Sequence, residues 1–177
     1  MTKVANPWSV PVAVEDIPDA GLHLSLEAPA EVRVEVAKLA GLRDLPLLTA
    51  EFDLSRKGAG VYVTGRVSAR VGQICVVTLE PIENTVEEEV DLQFAPAGAA
   101  EPKGARQHAP GEEEPPEPLL EGRLDLGAVA TEFLILGIDP YPRKAGAEFA
   151  PPKREDGGEH PFAALESLKK SLGGGKS

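Results

Sequence analysis

The side chains of this chain that could do chemistry are few and far apart. Its three histidines, His23, His108 and His160, fall in separate segments, and none has a partner at helical or strand spacing. A nucleophile or general base works only when a second group orients it and manages its proton, so no catalytic constellation is expected and the chain reads as a non-enzyme. Cys75 is the only cysteine. It can close no internal disulfide and lacks the neighbours a zinc site needs, so neither metal nor cofactor is expected. It lies in the apolar run 74–79, where a buried thiol behaves as a small, inert hydrophobe.

Contact chemistry is better represented. Tyr62, Arg66 and Arg70 fall on the polar side of an alternating segment, together with Thr64 and Ser68. An aromatic ring can stack on an unpaired base while arginines hold phosphates, so this face is a candidate for RNA. The rival reading is that Glu51, Asp53, Glu87, Glu89 and Asp91 on neighbouring strands absorb the arginines in cross-strand ion pairs, and on charge alone it outweighs the first. A second candidate is the peptide Tyr141, Arg143, Lys144. It opens a stretch, 140–177, in which seven cations (Arg143, Lys144, Lys153, Arg154, Lys169, Lys170, Lys176) exceed five anions (Glu148, Glu155, Asp156, Glu159, Glu166). For a protein partner the candidates are Glu112, Glu113 and Glu114 in an acidic segment, and Phe162 and Leu165 near the C-terminus.

These side chains need a scaffold. Residues 22–26, 48–54, 61–71 and 86–94 alternate apolar with polar residues, the signature of strands buried on one face. The sequence Lys57, Gly58, Ala59, Gly60 supplies a hairpin turn, and 8–14, punctuated by proline, suits an edge strand. The run 74–79, ended by Glu80-Pro81, reads as a strand buried on both faces. Residues 28–39 alternate like a strand but carry helical end signals, Pro29 in front and Gly41 behind. Their length favours a helix with Val32, Val36 and Leu39 inward. After Asp125, a natural N-cap, Leu126, Val129, Phe133 and Leu136 recur at helical spacing, and Pro140 and Pro142 end the helix near Ile138. The fold class expected is α+β: an antiparallel meander covered by one or two helices.

Composition bounds the rest. A chain of 177 residues, 42% hydrophobic, can bury one core, so a single domain over 1–177 is expected. Residues 96–118, rich in Ala, Gly, Pro and Glu, read as a mobile insert. Residues 145–177 read as a largely flexible tail with a short helix or docking segment at 161–170. A formal net charge of -11 argues against a generic nucleic-acid surface but permits a local basic one. No apolar run suits a signal peptide or a membrane span, and a soluble cytoplasmic protein is expected.

Three passages resemble the YceD family of large ribosomal RNA subunit accumulation proteins. They are GQICVVTLEPI at 72–82, DLGAVATEFLILGIDPYPRK at 125–144 and HPFAALESLKK at 160–170, in the family's order and with the acidic insert between the first two. The variant is similar to the alphaproteobacterial branch. The resemblance implies a bacterial cytoplasmic factor supporting accumulation of 23S ribosomal RNA. Its partners would be precursor large-subunit RNA, an assembly intermediate or a basic ribosomal protein, with no membrane and no small-molecule substrate. Many members carry a Cys-x-x-Cys in the first passage and a further cysteine pair after the helix, which suggests a metal site. Here Gly72 stands at the first of those positions, only Cys75 matches, and the peptide after the helix has no cysteine.

Overall fold

Alternation over long stretches produces long strands. The computed structural model describes residues 6–96 and 116–149. Its elements are β1 (Pro11–Ala13), a 3-10 turn (Val14–Asp16), β2 (Leu22–Glu27), α1 (Ala30–Leu39), β3 (Asp44–Lys57), β4 (Gly60–Ile74), β5 (Pro81–Pro96), β6 (Glu117–Leu119), β7 (Arg123–Asp125) and α2 (Leu126–Gly137). Five strands form one sheet in the order β2-β3-β4-β5-β6, antiparallel except for β6, which runs parallel to β5. β1 and β7 pair separately as an antiparallel ribbon.

Register follows the apolar pattern. Leu48, Ala50, Phe52 and Leu54 of β3 face the core together with Val61, Val63, Val67, Ala69 and Val71 of β4 and Val86 and Val90 of β5. Moving any of these strands by one residue would turn its apolar set to water. Gly65, opposite Phe52 and Val90, leaves no hole: a Cβ there would lie 2.8 Å from the Phe52 ring, which occupies the space. Val36 and Ala37 of α1 join the same core.

α2 is anchored at its start by Asp125. Its carboxylate accepts hydrogen bonds from the amides of Gly127 and Ala128, both 3.1 Å, from the Val10 amide at 2.7 Å and from the Ser9 hydroxyl at 2.6 Å. One side chain therefore caps the helix and ties down the segment that leads into β1.

Four expectations need correction. Residues 74–79 are not a strand buried on both faces: β4 ends at Ile74, β5 starts at Pro81, and a loop joins them. Val76 and Leu79 are exposed in it and Leu79 adopts φ 59. A six-residue apolar run cannot itself tell a strand from a turn that packs one side chain, here Cys75. Of the expected stripe of α2, Leu126 and Val129 are buried, together with Ala130 and Leu134, whereas Leu136 is 72% exposed and Phe133 only partly buried. That helix is apolar nearly all round, so spacing alone did not orient it. In α1, Leu39 faces solvent. Of the stretch 8–14, only Pro11–Ala13 is strand.

Pro96 ends β5 and Glu117 and Pro118 belong to β6, so the expected insert is bounded by strand at both ends, and 97–115 lie outside the described residues. The chain divides into two units, Met1–Ala147 and Glu148–Ser177. Of the second only Glu148 and Phe149 are described. The segment 161–170 therefore lies outside the described residues, as do Glu112, Glu113, Glu114, Phe162 and Leu165. No described helix is long and apolar enough to cross a membrane.

Candidate nucleic-acid interface

β4 places Tyr62, Arg66 and Arg70 on the solvent face, and their strand neighbours treat them differently. Arg66 stands between Glu51 of β3 and Glu89 of β5, with Nη2 3.5 Å from the Glu89 carboxylate. Asp91, on the neighbouring strand, raises the Tyr62 phenol's pKa. Arg70 is opposite Leu47 and Thr85, and makes no ion pair among the described residues. The ion-pair reading thus holds for Arg66 and not for Arg70. At about 3.3 Å per residue, Tyr62 lies roughly 26 Å along the strand from Arg70, too far for one nucleotide to bridge.

The peptide after α2 is held against the loop between β4 and β5. Gln73, 8% exposed at an inward position of β4, donates from Nε2 to the Asp139 carbonyl (2.9 Å) and accepts from Asn84 Nδ2 (2.8 Å). The Val76 amide donates to the Pro142 carbonyl at 2.9 Å, and the Asp139 carboxylate accepts from the Tyr141 amide at 2.8 Å. Cys75 Sγ accepts from the Lys144 amide at 3.3 Å and the Thr78 amide at 3.4 Å. Lys144 Nζ reaches Glu80 at 2.9 Å.

The electrostatics follow from these bonds. The Lys144 amide, then Thr78, lower the Cys75 thiol to about 6. The Lys144 ammonium, through its hydrogen bond, draws the Glu80 carboxyl below its usual range, and Glu80 in turn raises Lys144. Cys75 itself is fully buried. It is the sulfur acceptor of a clamp, a role that reading it as a plain hydrophobe missed.

Tyr141, Arg143 and Lys144 are therefore positioned differently. Lys144 is engaged with Glu80, Arg143 is exposed, and Tyr141 is 71% exposed between two prolines whose neighbours fix them. Pro140 and Pro142 line a shallow cleft with Arg43, Ile74, Val76 and Ile138. Arg70 precedes Ile74 by four residues on the same strand face, about 13 Å away, so it belongs to this end of the sheet. Along β4, Arg70 lies midway between Arg66 and Ile74, and no hydrogen bond or ion pair among the described residues joins it to the exit peptide. Gln73 and Asn84 were not predicted; a glutamine at an inward register position beside Val71 is the signal that could have found the first.

The residues at this corner do not fit a cysteine-ligated metal. Position 72 is a glycine beside the Asp44 carboxylate and supplies no sulfur where the first cysteine of a pair would stand. The one sulfur present is occupied by backbone amides. Among the described residues no three His, Cys, Asp or Glu side chains cluster as metal ligands.

The arrangement is a mostly antiparallel sheet with a helical lid and a clamped peptide at one corner. The family model for the large ribosomal RNA subunit accumulation protein YceD matches residues 63–169, more than half of the chain, which belongs to that family. The family is one of accumulation of the large ribosomal subunit's RNA. Comparison with curated proteins and with solved structures returns no match.

Proposed function

We propose that this protein is a non-catalytic bacterial ribosome-biogenesis factor, acting in the cytoplasm to support accumulation of 23S ribosomal RNA by binding precursor RNA or an assembly intermediate. Its contact surface would combine Tyr141 and Arg143 of the clamped exit peptide with Arg70 on β4, with Tyr62, Arg66 and Lys144 in supporting positions on account of their acidic partners. The observation that carries this reading is the clamped exit peptide. Five hydrogen bonds, from Gln73, Val76, Tyr141 and the Lys144 amide and ammonium, hold 139–144 in place while leaving Tyr141 and Arg143 in solvent. A backbone held in place beforehand presents an aromatic and a nearby arginine to an unpaired nucleotide at a reduced ordering cost.

The test is the double variant Arg70→Glu, Arg143→Glu. It should lose RNA binding and lower large-subunit RNA in cells, whereas Arg66→Glu changes both much less. Unchanged RNA binding and RNA levels in the double variant would remove the proposal.

A second reading is an acidic module that holds a basic ribosomal protein away from RNA, with Glu112, Glu113, Glu114, Phe162 and Leu165 as its contacts. The acids exposed along β3 and β5 favour it. Purified protein that retains RNA removable by high salt supports the first reading. A basic ribosomal protein that stays bound after nuclease treatment supports the second.

A further inference from the structure

β5 is 16 residues long and pairs with β4 from Pro81 to Phe94, but its other edge is paired only at Phe94, Ala95 and Pro96, by β6. Among the described residues, the backbone donors and acceptors pointing outward along 82–93 therefore have no strand partner. At the Leu92 end of that edge lies a groove whose walls include Leu92, Phe94, Leu120, Phe133 and Leu136, with Glu117, Arg123, Asp125 and Glu132 also lining it. Leu136 and Leu120 are 72% and 63% exposed in it. On the opposite face of the same edge stand Glu87, Glu89 and Asp91, all exposed.

We propose that the edge of β5 accepts an extended basic segment of a partner protein as an added strand. Alternate side chains of that segment would be apolar and enter the groove against Leu92, Phe133 and Leu136. The others would be Lys or Arg and lie over Glu87, Glu89 and Asp91. Strand addition takes its affinity from main-chain hydrogen bonds and its specificity from alternate side chains, and this edge supplies both.

Three occupants are distinguished by the charge row. RNA meets three carboxylates and is repelled. A second copy pairing edge to edge would set acids against acids, and like charges directly opposite are destabilising. Acids can also simply protect an edge from aggregation, but mere protection does not account for the exposed leucines beside it. The proposal does not rest on Arg70, Tyr141 or Arg143, which contribute nothing to this edge; Arg66 and Tyr62 face Glu89 and Asp91 from β4 and are the residues the two readings share.

The test uses the full chain and a fluorescent peptide of alternating valine and arginine, with the same peptide N-methylated at alternate residues as a strand-incompetent control. The unmethylated peptide is expected to bind at least tenfold more tightly than the control and to slow hydrogen exchange within 84–92. Leu136→Glu and Glu87→Lys, both at exposed positions, should each weaken it at least fivefold without changing the melting temperature. Equal binding of the two peptides would reduce the effect to bulk charge and overturn the proposal. So would protection of 84–92 by single-stranded RNA, or by self-association without peptide.

Discussion

Cys75 shows how one atom can be chemically primed and physically closed off. Its thiol is lowered to about 6 by the Lys144 and Thr78 amides, yet the residue has no exposed surface. Access governs reactivity here, so iodoacetamide should label native protein slowly and unfolded protein fast. Because the folded pKa lies below the ordinary thiol value, the stabilisation is complete above that value and is lost as pH falls through about 6. The gap in melting temperature between the wild type and Cys75→Ala should therefore widen from pH 6 to pH 9; a gap independent of pH would mean that the sulfur acts only as volume. Asp125 is the other residue of this kind. Removing it orphans the helix amides and releases Val10 and Ser9, so Asp125→Ala should cost about 2 kcal/mol in denaturant unfolding.

Among the elements, β4 carries the most consequences. Its inward row builds the core, its outward row carries Arg66 and Arg70, and its last inward polar residue, Gln73, fastens the exit of α2. Gln73→Leu keeps the volume but strands the Asn84 amide and frees the Asp139 carbonyl. It should destabilise by about 1–3 kcal/mol and speed hydrogen exchange in 138–144. At Gly65 the strand tolerates no side chain, since a Cβ would press on the β3 backbone and the Phe52 ring. Gly65→Ala should cost about 1–3 kcal/mol in urea unfolding.

For the whole molecule, charge decides what kind of RNA binding is possible. With a net charge of -11, contact with a polyanion has to be local and must outlast repulsion from the rest of the surface. If Arg70 and Arg143 each neutralise one phosphate, the logarithm of the affinity for single-stranded RNA should fall against the logarithm of salt with a slope of about -1.4, and Arg70→Gln or Arg143→Gln alone should reduce it to about -0.7. Filter binding across a salt series checks this. A steep slope would instead point to a large basic surface that the described residues do not contain.

How much of this was legible beforehand depended on whether the signal was local. Period-two alternation identified β2, β3, β4 and β5 and their inward faces, because a strand's side chains sort by parity alone. Asp125 and the Pro-Tyr-Pro break marked the ends of α2, because capping and the missing proline amide are properties of adjacent residues. The α+β class and the family likeness were in the sequence as well. Tertiary structure alone decided which side of the mostly apolar α2 is buried, that 74–79 turns instead of pairing, and that Cys75 clamps a peptide 69 residues away. It also separated Arg66, met by Glu89, from Arg70, met by Leu47 and Thr85. Those outcomes depend on which chains lie opposite, and the partner of a strand edge or a sulfur is set by the fold, not by its neighbours in sequence.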